Sequence, residues 1–332
     1  AVRGAGIPCF GPSRAAARLE GSKAFAKEVM AAAGVPTAAA RTCVTTAEVA
    51  AALDELGAPY VVKDDGLAAG KGVVVTSRRA TALAHAASCE RVVVEEFLDG
   101  PEVSLFAVTD GRTVLPLSPA QDFKRLGDGD TGPNTGGMGA YSPLPWAPSG
   151  LVEDVLASVL APTVEEMARR GTPFSGLLYA GLALTPRGVR VIEFNARFGD
   201  PETQVVLARL HTPLGSLLHA AATSDLASVG PLEWSDDSAV TVVVASKGYP
   251  EAPRTGDPVE GLAEADAVDG ASVLHAGTAL DETGQVVSSG GRVLSVVGTG
   301  ADVRAARETA YAAVKLVRLD GGHHRSDIAA GV

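Results

Sequence analysis

Four stretches of the 332-residue chain combine residue types that handle anions and divalent metals. The first runs Val61-Val62-Lys63-Asp64-Asp65-Gly66-Leu67-Ala68-Ala69-Gly70-Lys71-Gly72. A lysine at a strand end can reach phosphate oxygens. Glycines at 66, 70 and 72 let backbone N–H groups approach an anion without interference from Cβ. It is not a Walker A loop: Gly66-x-x-x-Gly70-Lys71-Gly72 is one residue short, and Gly72 stands where Ser or Thr would bind magnesium. A β-hairpin with a glycine turn uses the same residues. The second, Gly127-Asp128-Gly129-Asp130-Thr131-Gly132-Pro133-Asn134-Thr135-Gly136-Gly137-Met138-Gly139, contains a formal G-x-G-x-x-G. Phe123-Lys124-Arg125 precedes it instead of a buried strand, and Pro133 follows instead of a helix, so a dinucleotide fold is rejected. Its glycine density suits a mobile flap that excludes water, or a disordered linker. Asp122, Lys124 and Arg125 beside it can contact an anionic substrate, or form a solvated charge run.

The third stretch is Val191-Ile192-Glu193-Phe194-Asn195-Ala196-Arg197-Phe198-Gly199-Asp200-Pro201-Glu202. In a strand, Glu193 and Asn195 point the same way, about 6.6–7 Å apart along the backbone. Two oxygen donors presented so, completed by nucleotide phosphates, suit Mg²⁺, which takes few protein carboxylates. Arg197 can hold a carboxylate or phosphate with two parallel hydrogen bonds. An edge-strand glutamate with a surface ion pair is the plain alternative. The fourth is Glu95-Glu96-Phe97-Leu98-Asp99-Gly100-Pro101-Glu102, where apolar residues at a turn could sandwich a planar base and Glu102 could accept from ribose hydroxyls; an ordinary strand end reads the same.

The patterning predicts α/β elements to position these groups. Residues 13–34 read as two helices broken near Gly21, the second capped by Ser22 and stopped by Gly34 and Pro36. Strands are predicted at 60–63, 73–75, 91–98 and 103–108, with a helix at about 77–88. Residues 118–149 lack periodicity and read as one long functional loop. Helices follow at 150–170 and 202–222, separated by a hairpin of 177–184 and 189–195. A polar linker spans 224–237; strands at 239–245 and 285–297 and a helix at 302–317 make a smaller α+β domain. His323-His324 reads as an exposed tail.

Hydrophobic residues make up 46% and charged residues 20%, ample for a core. The net charge of −11 argues against nucleic acid or an anionic membrane as the main partner, while leaving room for a local basic pocket. Three widely spaced cysteines without a C-x-x-C pair suggest a reduced, cytoplasmic setting.

In order and spacing these stretches resemble the ATP-grasp superfamily and, more narrowly, the phosphoribosylamine–glycine ligase family. Phe10-Gly11-Pro12-Ser13, Leu19-Glu20-Gly21-Ser22-Lys23, the Lys63 loop, Glu95 to Leu98, Gly129 to Pro143 and Glu193 to Glu202 carry the likeness. Lys247-Gly248-Tyr249-Pro250, His275-Ala276-Gly277-Thr278 and Ser289-Gly290-Gly291-Arg292-Val293 extend it towards the C-terminus.

The resemblance implies an ATP-grasp fold with a mobile lid subdomain (about 44–107) inside an ATP-grasp domain (21–225), and a C-terminal α+β domain (236–332). Lys23 and Lys63 would contact ATP phosphates under the Gly66–Gly70–Gly72 loop. Glu95, Glu96, Phe97 and Leu98 would line the adenine site, with Glu102 on ribose. Glu193 and Asn195 would hold Mg²⁺, with Mn²⁺ as the other candidate. Arg197, Gly199 and Asp200 would sit beside the substrates, Lys63, Arg197 and Asp200 serving catalysis, and Asp122 and Lys124 would serve the phosphoribosyl site. The implied reaction joins glycine to 5-phosphoribosylamine through a glycyl phosphate, in a cytoplasmic monomer. Residues 1–20 read as the end of a further α/β domain that opens the family, and full ligation by this chain alone is expected to be impaired. The alternatives are another ATP-grasp carboxylate–amine ligase, a biotin-dependent carboxylase, or a non-catalytic ATP-binding module.

Overall fold

The strands that carry the candidate residues pair into antiparallel sheets whose helices are started and stopped by local caps. A computed structural model describes residues 2–66 and 72–332. Gly70 therefore lies outside the described residues. The chain divides into two compact units, Ala1–Leu117 with Ser149–Phe198 and Pro213–Leu232, and Ser118–Pro148 with Gly199–Thr212 and Glu233–Val332.

In the first unit, one four-stranded sheet has the order Ala40–Cys43, Val92–Glu95, Tyr60–Asp64, Val73–Thr76. Helix Thr46–Leu56 opens with a capping box: the Thr45 hydroxyl accepts from the Glu48 N–H, and Glu48 accepts in return from the Thr45 N–H. Its Val49, Ala52 and Leu53 pack with Ala82 and Ala86 of helix Arg79–Ala86 on Val62, Val92 and Val94. Helices of 11 and 8 residues are marginal in isolation, so this apolar contact is what holds them. The second sheet has the order Gly188–Asn195, Ser175–Thr185, Glu102–Asp110, Val114–Pro116. Ser22 accepts from the Phe25 N–H at the start of helix Lys23–Ala33, and Gly34 ends it at φ +67°, as the capping signals predict. Strand Val92–Glu95 is shorter than predicted, leaving Phe97 and Leu98 outside it.

In the second unit, a five-stranded sheet has the order Ala271–His275, Arg292–Gly300, Ser238–Ala245, Gly139–Ser142, Gln121–Asp122. Helix Val303–Val314, capped by the Asp302 carboxylate on the Ala305 N–H, packs on Arg292–Gly300 and Ser238–Ala245. At Gly298 a Cβ would lie 2.3 Å from the Ala310 nitrogen, so only glycine allows this approach.

Three predicted elements are corrected. Residues 118–149 are not one irregular loop. They form short strands Gln121–Asp122, Arg125–Gly127 and Thr131–Asn134 and the buried strand Gly139–Ser142, which is paired on both sides. A Cβ at Gly139 would lie 2.6 Å from the Thr241 carbonyl oxygen, so the packed position carries no side chain and the alternation is hidden. The helix expected over 202–222 is two, Glu202–Arg209 and Leu214–Ala222, because Pro213 cannot continue a helix. The strand expected over 285–297 is broken by Ser289-Gly290-Gly291 into Val286–Ser288 and Arg292–Gly300.

Candidate nucleotide, metal and substrate residues

The pairing of Tyr60–Asp64 with Val92–Glu95 sets Lys63 opposite Val93 and Val61 opposite Glu95. Lys63 and Glu95 are then diagonal neighbours on one sheet face. The Lys63 ammonium lies 2.9 Å from the Glu95 carboxylate, and both residues are 3% exposed. Lys27, from helix Lys23–Ala33, reaches the other Glu95 oxygen at 3.1 Å and also donates to Thr37 Oγ1 at 2.8 Å and the Ala38 carbonyl at 3.0 Å. Burial lowers the Lys27 pKa even though Glu95 pulls the other way. Two ammonium groups thus share one carboxylate, leaving a surplus positive charge where a phosphate would neutralise it.

Lys63 also donates to the Ile192 carbonyl at 2.9 Å. Ile192 is the extra residue of a β-bulge: Gly181 pairs with Glu193, but Leu182 pairs with Val191. The bulge reverses the strand's alternation. Val191 is fully buried on one side of it and Phe194 is buried beyond it, so Glu193 and Asn195 are half-buried on the opposite side. The Asn195 amide N–H lies 3.5 Å from a Glu193 carboxylate oxygen, which leaves the amide oxygen as a donor to metal. A carboxylate and an amide oxygen fit a hard divalent cation. Among the described residues no three His, Cys, Asp or Glu side chains gather at metal-ligand spacing, so such an ion would complete its shell with nucleotide oxygens and water.

Lys23 donates to the Gly66 carbonyl at 3.0 Å. Next to it Asp65 accepts from the Ala24 N–H at 2.7 Å and pairs with Arg91. At the far side of the loop the Gly72 carbonyl accepts from the Asp64 N–H at 2.7 Å. Both ends of the glycine loop are therefore tied to the framework. In the adenine candidates, Glu96 accepts from the Ala39 N–H at 3.1 Å and from Arg187 at 3.0 Å. Burial pushes its pKa up, but these two donors outweigh that and hold the carboxyl below its usual range. Its side chain is thus committed to the framework, while Phe97 is 42% exposed, Leu98 half-buried, and Glu102 opens strand Glu102–Asp110.

Arg197 donates to the Phe198 carbonyl at 2.9 Å and lies 3.4 Å from Glu20, whose second oxygen accepts from the Ala196 N–H at 2.9 Å. Glu20 and Lys27 hold Arg197 and Glu95 in place, and neither is among the candidates nominated from the sequence. Glu20 stands inside a quoted motif. Lys27 carries no local signal beyond its place one turn after Lys23.

In the second unit Lys124 and Asp122 pair at 2.7 Å, Asp122 nearly buried and Lys124 half exposed. The Thr135 N–H and hydroxyl both donate to the Lys124 carbonyl, at 2.7 and 2.8 Å. Asp200 lies 3.2 Å from Arg292 and accepts from Gln204 at 2.9 Å. The same guanidinium donates to the carbonyls of Asp200 at 2.7 Å and Gly136 at 2.8 Å, so Arg292 ties the glycine-rich segment to Asp200. Gly137 has φ +113°, and a Cβ there would lie 2.4 Å from Pro201 Cδ. The Gly199 carbonyl accepts from the Thr203 N–H at 3.2 Å. Among the described residues no helix is long and apolar enough to cross a membrane.

Family models match on both sides of the chain: the ATP-grasp (A) domain of phosphoribosylglycinamide synthetase over residues 21–203, and its C domain over residues 239–331. A phosphoribosylamine–glycine ligase of Streptomyces coelicolor is 72% identical over 99% of this chain and 80% of its own length. The crystal structure of phosphoribosylamine–glycine ligase from Thermotoga maritima superposes with a TM-score of 0.88 at 35% identity, covering 96% of this chain and 81% of that one. N5-carboxyaminoimidazole ribonucleotide synthetase, also from Thermotoga maritima, shares the fold alone, with a TM-score of 0.67 at 18% identity over 93% of this chain and 75% of that one. The mixed helix–sheet architecture is an ATP-grasp fold, and the chain belongs to the phosphoribosylglycinamide synthetase family of C–N ligases.

Proposed function

We propose that this chain catalyses the ATP-dependent joining of glycine to 5-phosphoribosylamine, giving glycinamide ribonucleotide, ADP and phosphate, a step of purine synthesis. The observation that carries the reading is family membership across both matched segments, together with a buried lysine pair that shares one carboxylate. Lys63 and Lys23 neutralise ATP phosphates. The backbone of 96–98 and the Phe97 ring receive adenine, and Glu102 the ribose. Glu193 and Asn195 hold the divalent ion, Mg²⁺ with Mn²⁺ as a substitute, which when bound neutralises charge on the phosphates.

A glycine carboxylate oxygen attacks the γ-phosphorus and ADP leaves. The phosphoribosylamine nitrogen then attacks the acyl carbon, and phosphate leaves with the nitrogen losing a proton. No protein nucleophile takes part. Catalysis rests on alignment and charge neutralisation, for which Lys63 and Arg197 supply cations and Asp200 a carboxylate near the amine. Asp122 and Lys124 serve the phosphoribosyl end. A monomer acting in the cytoplasm is the working form of this reading.

ADP release from Mg²⁺–ATP tests it. Because the chain spans 80% of the Streptomyces coelicolor relative, the assay is run on this chain and on a version completed from that relative. Release that needs glycine and phosphoribosylamine together supports the proposal. Release driven by another carboxylate or amine, or by none, overturns it.

A further inference from the structure

The double-aspartate turn of the glycine-rich segment is held by the chain around and after His323-His324, the two residues read from the sequence as an exposed tail; both histidines are exposed. Residues 323–328 are docked. His323 exchanges backbone hydrogen bonds with Ala245, at 2.7 and 2.8 Å, and its ring nitrogen lies 2.8 Å from the Leu126 carbonyl. Asp327 accepts from the Gly129 N–H at 2.8 Å. Asp128 accepts from the Ser326 N–H at 2.8 Å and from its hydroxyl.

At the centre lies Arg325, 1% exposed. Its guanidinium pairs with Asp130 at 2.7 Å and makes two parallel 2.7 Å bonds with Asp327. It also donates to the Arg125 carbonyl at 3.2 Å and lies 5.0 Å from the centre of the Phe123 ring. Those last two contacts fall on the residues before and after Lys124. A buried arginine needs its donors filled, so its geometry is fixed by the fold and it fixes in turn what it touches. Helix Val303–Val314 braces the far side: the Tyr311 hydroxyl donates to the Arg325 carbonyl at 2.7 Å, and Arg307 donates to the carbonyls of Ser326 and Ile328 at 2.6 and 2.9 Å.

We propose that Arg325 is a positioning residue for substrate binding: with Asp130 and Asp327 it clamps the 123–130 segment and thereby sets the Asp122–Lys124 pair. The proposal rests on the reading that places those two residues at the phosphoribosyl site. It does not make Arg325 touch substrate.

The test compares the protein with its Asp130→Asn, Arg325→Lys and Arg325→Met variants. Asp130 has φ +53°, a backbone conformation asparagine tolerates, and its side chain is mostly exposed, so Asp130→Asn removes the charge without threatening the fold. Two readouts are taken on each: amide hydrogen exchange of residues 122–139, and KM for each substrate in the completed version. The expected result is faster exchange confined to 122–139 and a rise of about tenfold in KM for phosphoribosylamine, with KM for ATP unchanged and Arg325→Lys recovering part of the loss. Unchanged exchange in Asp130→Asn and Arg325→Met overturns the clamp. Faster exchange with KM for all substrates unchanged, or all raised alike, overturns the positioning role. If the unaltered protein shows no phosphoribosylamine-dependent release, the proposed function has failed separately; unchanged exchange then still rejects the clamp, and local loosening still supports it.

Discussion

The Glu95 carboxylate stands between Lys63 at 2.9 Å and Lys27 at 3.1 Å, one oxygen to each ammonium, almost entirely out of solvent. The two lysines differ in what else they hold. Lys27 is tied to Thr37 and Ala38 on the framework, whereas Lys63 is tied to the Ile192 carbonyl next to Glu193. If Lys63 turns towards a phosphate, Glu95 keeps a partner, so the move does not strand a buried charge.

An asymmetry in stability follows. Removing one partner of a buried ion pair costs about 3–5 kcal/mol when the other is left uncompensated. Glu95→Gln leaves two buried ammonium groups facing each other and is expected to reach that range. Lys63→Met leaves Glu95 with Lys27 and is expected to cost less, about 1–2 kcal/mol, while lowering ADP release by at least about a hundredfold. Urea unfolding of both variants beside the release assay gives the comparison; equal destabilisation would remove Lys27 from the account.

Glu193→Ala should separate function from folding. The side chain is half-buried and accepts from the Asn195 amide N–H at 3.5 Å. Turnover is expected to fall about a hundredfold or more and the Mg²⁺ needed for half-maximal release to rise, with Tm moving by only a few degrees. A large loss of Tm with unchanged metal dependence would make the residue structural.

Gly137→Ala is expected to destabilise the second unit by about 1–3 kcal/mol, from both the positive φ and the collision with Pro201. The same collision displaces Asp200, so turnover should fall more than stability accounts for. Thermal unfolding and the release assay at low temperature, where the variant is folded, read the two effects apart.

Acid should weaken both units in one window. Arg169 and Arg170 hold Glu166 at about 2, and Arg325, with the Gly129 N–H, holds Asp327 at about 2 against the opposing effect of burial. A carboxyl whose folded pKa lies below its unfolded value leaves the unfolded chain binding more protons in between. Its contribution is present above the ordinary values of 4.5 and 3.8 and is lost as pH falls towards about 2. Chemical unfolding at pH 6, 4 and 3 should show stability dropping over that window, with a shallower drop in Glu166→Gln. A slope unchanged by that substitution would show that the Glu166 contacts do not carry it.

Much of the framework that carries the candidate residues was legible because its signals are local. The helix caps at Ser22 and Gly34, the strands around Lys63 and the hairpin of 177–184 and 189–195 are settled by hydrogen bonds between near neighbours in sequence. What stayed hidden involves distant partners. Lys27, Arg292 and Arg325 are ordinary charged residues until the fold brings Glu95, Asp200 and Asp130 to them, across 68, 92 and 195 positions.

The order of motifs along the chain, through its resemblance to the ATP-grasp ligases, pointed to that family, and residue chemistry was enough to nominate Glu193 and Asn195 as a pair. The face on which that pair lies was decided elsewhere. Strict alternation would put Val191, Glu193 and Asn195 on one side of the strand, yet Val191 is fully buried. Only pairing with Ser175–Thr185, with Ile192 bulged out between Gly181 and Leu182, turns the two oxygen donors away from the core. Register is a property of two strands, and no single strand's sequence contains it.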